Sequence, residues 1–353
     1  MKKARFVIIG SGWRSSYYAR IAKALPDRFE LLYMLCRSQE KAEKMAGELG
    51  IPTTTSISDC IEAKPDFVVV AVTKSSMTEV ALQWLDKGFF VLAETPAATS
   101  FENLEKLKNL GEKKNRLIIA EQYRLYPENL ALIKLLQTGI LGEISAINIS
   151  LAHEYHGASL IRAFLNLSPE EKFSVQAKTY SFPTTETLTR YEKITDGRVA
   201  EKKRTLATFE FENGKVAFYD FDSEQYRSPI RKNTIKIQGV RGEIIDNKVY
   251  YLDQNNQGQE EEILIKSRLV DRESDNPNFK TIYEVENITF KGELLYQTPF
   301  GSCGLSQDET AMASLMYKTY LFSKGQEESP YPLKEAIQDS YMALMMENAG
   351  SIK

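Results

Sequence analysis

Only two histidines occur in this 353-residue chain, His153 and His156, three positions apart. Histidine is the side chain whose ordinary pKa best suits proton exchange near neutral pH. The stretch His153-Glu-Tyr-His-Gly-Ala-Ser-Leu-Ile-Arg162 is therefore the first place to look for a general acid or base. If Ile147–Tyr155 is a strand, residues 153 and 156 point to opposite faces. A helix from about Gly157 then sets Ser159, Arg162 and Ala163 on one side, close to His156. His156 is the expected proton donor and Arg162 the expected partner of an anionic substrate group; a capping or loop histidine is the plainer alternative. Tyr123 and Arg124, just past a strand end at the expected domain boundary, are the next candidates. A phenol beside a cation can give up its proton, but Tyr123 also suits packing beneath a helix Glu128–Gln137 that Tyr126-Pro127 caps.

A proton donor is half of a reduction; the other half needs a hydride source. Phe6–Ile9 is an uninterrupted apolar run of the kind buried on both faces of a parallel sheet. It leads into Gly10-Ser-Gly-Trp-Arg-Ser15, and a helix-compatible stretch Ser16–Ala24 follows. Strand, glycine turn and helix in that order suit a dinucleotide pyrophosphate. Gly10 permits the tight turn, Gly12 lets backbone approach the phosphates, and the helix N-terminus offers free N–H groups. Trp13 and Arg14 lie within this turn, and Ser15, small, takes the place of a third glycine. An ordinary tight strand-to-helix turn is the competing reading.

Strand and helix patterns then alternate: Phe29–Cys36, helical Ser38–Leu49, Phe67–Val72, helical Glu79–Lys87, Phe89–Ala93, helical Phe101–Lys113 and Leu117–Glu121. This repetition predicts a parallel sheet with ligands at the carboxyl ends of its strands. The second strand ends in Cys36-Arg37-Ser38, without the carboxylate that binds a ribose 2′-hydroxyl. Arg37 and Ser38 suit a 2′-phosphate, which favours NADP over NAD; with Arg37 as a solvated loop residue, NAD remains open. Thr73, Lys74 and Ser75 form the expected loop under the nicotinamide ribose, and Glu94-Thr95-Pro96 forms a second loop that the proline stiffens.

The length allows two domains. Net charge is −3, with no basic tract, so nucleic acid is not an expected partner. No apolar stretch reaches membrane-spanning length. Cys36, Cys60 and Cys303 are scattered, which points to neither a disulfide framework nor a metal site. A cytoplasmic protein is the expectation.

The ordered series resembles the Gfo/Idh/MocA family of glucose–fructose oxidoreductase and inositol dehydrogenase relatives. It comprises the turn Gly10–Ser15, the Thr73–Ser75 loop, Gly88-Phe-Phe-Val-Leu-Ala-Glu-Thr-Pro96 and Glu121-Gln-Tyr-Arg-Leu-Tyr-Pro127. Gly139-Ile-Leu-Gly-Glu-Ile144, Gly239-Val-Arg-Gly-Glu-Ile244 and Tyr331-Pro-Leu-Lys-Glu-Ala-Ile337 continue it. The resemblance implies an α/β fold: an N-terminal Rossmann parallel sheet over 1–122, then a substrate-binding and oligomerising α/β domain over 123–353 built on a large open, mainly antiparallel sheet. It also implies a small polar substrate, such as a sugar or cyclitol carbonyl/alcohol pair, NADP or NAD as cofactor contacted by Gly10–Ser15, Arg37, Ser38, Thr73–Ser75, Glu94, Thr95 and Arg124, and a homodimer or homotetramer. Two departures stand out. Thr95 occupies the place of the family's Glu-Lys-Pro lysine, for which Lys74 is a possible electrostatic substitute, and no Asp accompanies the histidines. A catalytically silent cofactor-binding sensor and an imine or tetrapyrrole reductase are therefore carried as alternatives. A methyltransferase leaves the Glu94–Pro96 and Tyr123–Pro127 segments without a role.

Patterns in the second half stand independently of that likeness. Thr205–Phe211 and Lys215–Phe221 alternate around Glu212-Asn-Gly214, a hairpin signal. Asn233–Gln238, Gly242–Ile245 and Lys248–Leu252 read as strands, and Asp308–Phe322 and Leu333–Ala349 as helices whose Met residues pack in a core. Phe209, Phe211, Phe218 and Tyr219 suit either a core face or a subunit interface.

Overall fold

Where the sequence places unbroken apolar runs, the chain forms strands covered on both faces. The computed structural model describes residues 2–274 and 276–351. Six strands, β1 (Ala4–Ile9), β2 (Phe29–Leu35), β3 (Thr53–Thr54), β4 (Phe67–Val70), β5 (Val91–Ala93) and β6 (Leu117–Ile119), form one parallel sheet in the order β3-β2-β1-β4-β5-β6. Phe6, Val7, Ile8 and all of Phe67–Val70 are fully buried, each large apolar side chain contributing roughly 1.5–3 kcal/mol. The order reverses between β1 and β4, and in sheets of this kind that is where a crevice opens at the strands' carboxyl ends.

Helices α1 (Ser15–Ala24), α2 (Gln39–Leu49), α3 (Ile57–Glu62), α4 (Lys74–Asp86) and α5 (Phe101–Lys108) connect these strands. Ser38, Ser56 and Ser100 cap α2, α3 and α5 by accepting the N–H three residues on. Two expectations change here. The strand expected to reach Val72 ends at Val70, and α4 begins at Lys74 rather than Glu79, so Thr73 is an N-cap and Lys74 and Ser75 its first helical residues, not a loop. The helix expected to Lys113 ends at Lys108; Gly111, at φ +57°, starts a separate 3-10 segment, Gly111–Arg116.

The second sheet follows α6 (Pro127–Gln137). It contains β7 (Ile144–Ser150), then, after α7 (Glu154–Leu165), β8 (Phe173–Thr185), β9 (Val199–Phe211), β10 (Val216–Asp222), β11 (Thr234–Gly239), β12 (Gly242–Ile245), β13 (Lys248–Leu252), β14 (Gly258–Asp271), a short helix α8 (Pro277–Lys280), β15 (Thr281–Phe290) and β16 (Glu293–Gln297). The ten strands run β16-β15-β14-β13-β12-β11-β7-β10-β9-β8, and every pairing is antiparallel except β7 with β10. The Glu212–Gly214 hairpin forms as expected, with Gly214 at φ +82°. Its alternation sorts the four aromatic residues: Phe209, Phe211 and Tyr219 are buried, whereas Phe218 is 45% exposed on the opposite face. Leu206, Tyr180 and Phe182 share that uncovered face by register and are also exposed.

Two closing helices, α9 (Gln307–Ser323) and α10 (Leu333–Ser351), complete the chain, with Met312, Met316, Met342 and Met346 buried. The chain forms two compact units, Met1–Leu125 with Pro299–Ser340, and Tyr126–Thr298 with Tyr341–Lys353. A division into 1–122 and 123–353 does not capture this return of the chain to its first unit. Among the described residues, no helix is long and apolar enough to cross a membrane.

Candidate functional site

The glycine turn is fixed by close packing on the neighbouring strand end. Gly10 sits at φ +114°, and a Cβ there would lie 2.3 Å from the carbonyl oxygen of Ala71, which no L-residue tolerates. Ser15 Oγ donates to the same carbonyl at 3.3 Å and is fully buried, so a small residue is needed at this third position. Gly12 is the opposite case: a Cβ there would meet nothing within 4 Å. Arg14 precedes α1 without capping it through its side chain, and the N–H groups of Ser16 and Tyr17 donate to the Trp13 and Arg14 carbonyls at 3.3 and 3.1 Å. Open space at Gly12 beside a helix N-terminus fits the pyrophosphate of a nicotinamide dinucleotide. Trp13 lies edge-on to Tyr17, ring centroids 4.7 Å apart.

Arg14 is the hub of a charged network inside the first unit. Its Nε donates to Glu94 Oε1 at 2.9 Å and its Nη1 to Asp308 Oδ2 at 2.7 Å, while its guanidinium lies 4.8 Å from the Tyr17 ring centroid. Burial opposes its charge, but Asp308 and Glu94 more than offset this and hold it protonated. Tyr18 donates to Glu94 Oε1 at 2.6 Å; burial, then the Glu94 charge, pushes its phenol far up. Gln122 Nε2 donates to Asp308 Oδ1 at 3.1 Å. Two expected cofactor contacts, Arg14 and Glu94, thus bind each other.

Beyond β6, Glu121 is 3% exposed and accepts the Tyr123 N–H at 3.0 Å. Burial raises its pKa to about 8, against the pull of that hydrogen bond and of Arg124. Tyr123 is half-buried in a 3-10 turn, Tyr123–Leu125. Arg124 lies 3.7 Å from Glu335 and 4.0 Å from Asp339, over the ring of Tyr331, whose hydroxyl bonds Asp339. Arg37 is exposed at the end of β2, and Ser38 accepts the Lys41 N–H at 3.3 Å, which leaves its own hydroxyl proton for a phosphate. Thr73, Lys74 and Ser75 are exposed beyond β4, and Thr95 is half-buried beyond β5.

The histidines belong to the second unit, and there the local expectation is overturned. The strand ends at Ser150, and α7 starts at Glu154 with His153 as its N-cap. The two rings therefore do not face opposite ways: their centroids are 5.0 Å apart. The helix starts early because tyrosine hydroxyls satisfy its first N–H groups. Tyr226 accepts from His153 N and Tyr219 from Glu154 N, each at 2.9 Å. Gly157 makes room for this, since a Cβ there would lie 2.5 Å from Tyr219 Cε2. His156 is 4% exposed and Arg162, on the same helix, 2%.

Several of these groups were not singled out from the sequence as site residues. Glu121 lies inside a recognised motif, but its burial is a tertiary property. Asp308 follows Ser306 in a Ser-x-x-Glu capping box, a readable pattern that gives no hint of Arg14. Tyr219 and Tyr226 stand 65 and 73 residues from the groups they bond, with no local signal at all. Among the described residues, no group of three or more His, Cys, Asp or Glu is placed to hold a metal.

Known proteins resemble parts of this sequence and its fold. The model of the Gfo/Idh/MocA oxidoreductase family, with an NAD-binding Rossmann fold, matches residues 4–122. The dehydrogenase aclE of Aspergillus oryzae is 26% identical over 160 residues, which cover 42% of this chain and 44% of that protein; the chain thus spans less than half of that curated relative. A levoglucosan dehydrogenase, solved with NADH and levoglucosan, shares the fold at a TM-score of 0.67 and 15% identity, covering 99% of this chain and 98% of its own. A biliverdin reductase from Synechocystis, solved with biliverdin and NADP+, does so at 0.63 and 14%, covering 99% of each chain.

Proposed function

We propose that this chain, whose residues 4–122 match the model of the Gfo/Idh/MocA oxidoreductase family, is an NADP-preferring oxidoreductase acting on a small polar carbonyl/alcohol pair. The observation that carries the reading is the Gly10–Gly12 turn: clamped on Ala71 at one glycine, open at the next, and followed directly by α1. The nicotinamide cofactor supplies the hydride. The backbone at Gly12, beside the start of α1, would hold its pyrophosphate, and Arg37 with Ser38 would hold the 2′-phosphate. Thr73, Lys74 and Ser75, exposed at the start of α4, would line the ribose. His156 holds the proton that the reduced oxygen needs, and Arg162 adds positive charge on the same helix. The uncovered face bearing Phe218 and Leu206 joins a second copy of the chain; a purely monomeric mass by light scattering overturns that part.

NADPH and NADH titrations followed by nicotinamide fluorescence test the cofactor reading. NADPH is expected to bind more tightly, and Arg37→Glu to weaken NADPH at least about tenfold more than NADH; equal losses overturn the 2′-phosphate role. A carbonyl and imine library then tests turnover. Binding without consumption favours the silent sensor that Thr95, in the lysine position, keeps in view. Consumption by imines or bilins alone favours the reductase reading.

A further inference from the structure

We propose that Arg14 is a positioning residue of the cofactor site, and that Asp308, at the start of α9, acts through it to hold the Gly10–Ser15 turn in the shape that receives a pyrophosphate. That the turn receives a pyrophosphate rests on the oxidoreductase reading above; that Asp308 holds the turn does not.

Arg14 joins Gly12-Trp13 to the first residue of α1, at φ −67° and ψ −34°, so its orientation sets that of the Gly12 backbone. Its guanidinium is gripped along two edges. Nε donates to Glu94 Oε1 at 2.9 Å, while Nη1 and Nη2 donate to Asp308 Oδ2 and Oδ1 at 2.7 and 3.4 Å. A planar group held this way cannot swing without breaking charge-assisted hydrogen bonds. Both carboxylates are themselves fixed. Tyr18 Oη donates to Glu94 Oε1 at 2.6 Å, and Gln122 Nε2 to Asp308 Oδ1 at 3.1 Å. The ends of β5 and β6 and the first turn of α9 thus converge on one side chain of the glycine turn.

Two carboxylates around one guanidinium balance its charge, which suits a brace rather than a phosphate ligand. The two roles differ in sign. If Arg14 bound a phosphate oxygen directly, removing the Asp308 charge would strengthen binding, by freeing donors and by taking a negative charge away from the phosphates. If Arg14 is a brace, removing that charge loosens the turn and weakens binding. A second tether lies further along α1 and provides the comparison. Arg20 Nε donates to Glu309 Oε1 at 3.0 Å, and the Tyr17 ring lies between the two arginines, 4.8 Å from the Arg14 guanidinium and 4.4 Å from that of Arg20. This tether holds the body of the helix, not the glycine turn.

Fluorescence titrations of folded variants with NADPH and NADH read the sign. Asp308→Asn, which keeps the shape of the side chain and removes its charge, is expected to weaken both dinucleotides by the same factor, at least about fivefold, because both carry the pyrophosphate. Arg14→Lys, which keeps the charge and loses the two-edged grip, is expected to do likewise. Arg14→Gln combined with Asp308→Asn is expected to lose no more affinity than Arg14→Gln alone. Arg20→Gln is expected to lower the melting temperature and to leave both affinities within about twofold. Tighter or unchanged binding in Asp308→Asn, losses that multiply in the double variant, or an equal loss in Arg20→Gln overturns the proposal. Amide hydrogen exchange without cofactor tests the brace separately. Ser16 and Tyr17, whose N–H groups bond the Trp13 and Arg14 carbonyls, are expected to exchange faster in Asp308→Asn; unchanged exchange overturns the proposal. A wild-type protein that binds neither dinucleotide, with that faster exchange in the variant, refutes the oxidoreductase reading and leaves the brace standing.

Discussion

The Gly10 turn and the start of α7 solve the same problem by opposite means. Each brings a strand end into a helix with side chains or backbone packed tightly around it. At Gly10 the solution is written locally: a glycine at φ +114° against a carbonyl, a small serine five residues on, and an apolar strand before. At α7 it comes from afar: two tyrosines, 65 and 73 residues downstream, satisfy the first N–H groups and pull the helix start back to Glu154. The lesson is that a helix boundary is legible when its cap is local and illegible when the cap arrives through tertiary contact.

Alanine in place of three glycines tests that contrast. Gly10→Ala, which meets both a forbidden φ and a backbone atom at 2.3 Å, is expected to lose roughly 2–5 kcal/mol in a denaturant melt. Gly157→Ala meets the Tyr219 ring at 2.5 Å and is expected to cost about 1–3 kcal/mol and to expose the Glu154 amide to hydrogen exchange. Gly12→Ala, with nothing within 4 Å, is expected to change stability by less than about 0.5 kcal/mol while weakening NADPH. A Gly12→Ala protein as unstable as Gly10→Ala breaks the distinction between a structural and a ligand glycine.

Glu121 sharpens the same comparison from the side of charge. Burial raises its pKa from the ordinary 4.5 to about 8, so between those values the folded protein holds a proton that the unfolded chain has lost. Its contribution is fully present below pH 4.5 and is lost as pH rises towards 8, by up to about 1.4 kcal/mol per pH unit. Glu121→Gln, which keeps the acceptor for the Tyr123 N–H, is expected to flatten that slope in melts taken from pH 5 to 8. An unaltered slope removes Glu121 as its source.

The apolar runs of β1 and β4, the Glu212–Gly214 hairpin and the helices Gln307–Ser323 and Leu333–Ser351 were readable because burial leaves a periodic record. The strand expected over Ile147–Tyr155 was too long, since nothing within those residues announces the turn after Ser150. β8 and β14 escaped notice for a related reason. Much of each is exposed, and Pro183 in the edge strand β8 and the Glu260–Glu262 run in β14 lack the apolar alternation that marks a half-buried strand. On the site side, the glycine turn and His156 stood out from residue type alone. The Arg14–Glu94–Asp308 network and the tyrosine caps are products of folding, visible only once distant segments meet.

The Arg14–Asp308 ion pair spans 294 residues of chain. On a ribosome adding about 5–20 residues per second, Arg14 waits roughly 15–60 s for its partner to be made. During that interval β1, β4 and the glycine turn can assemble, but Arg14, paired with Glu94, lacks its second carboxylate, Asp308, and Arg20 lacks Glu309. Without Pro299–Ser340 the first unit lacks both of these ion pairs. A fragment cut at residue 122 carries that incomplete state permanently.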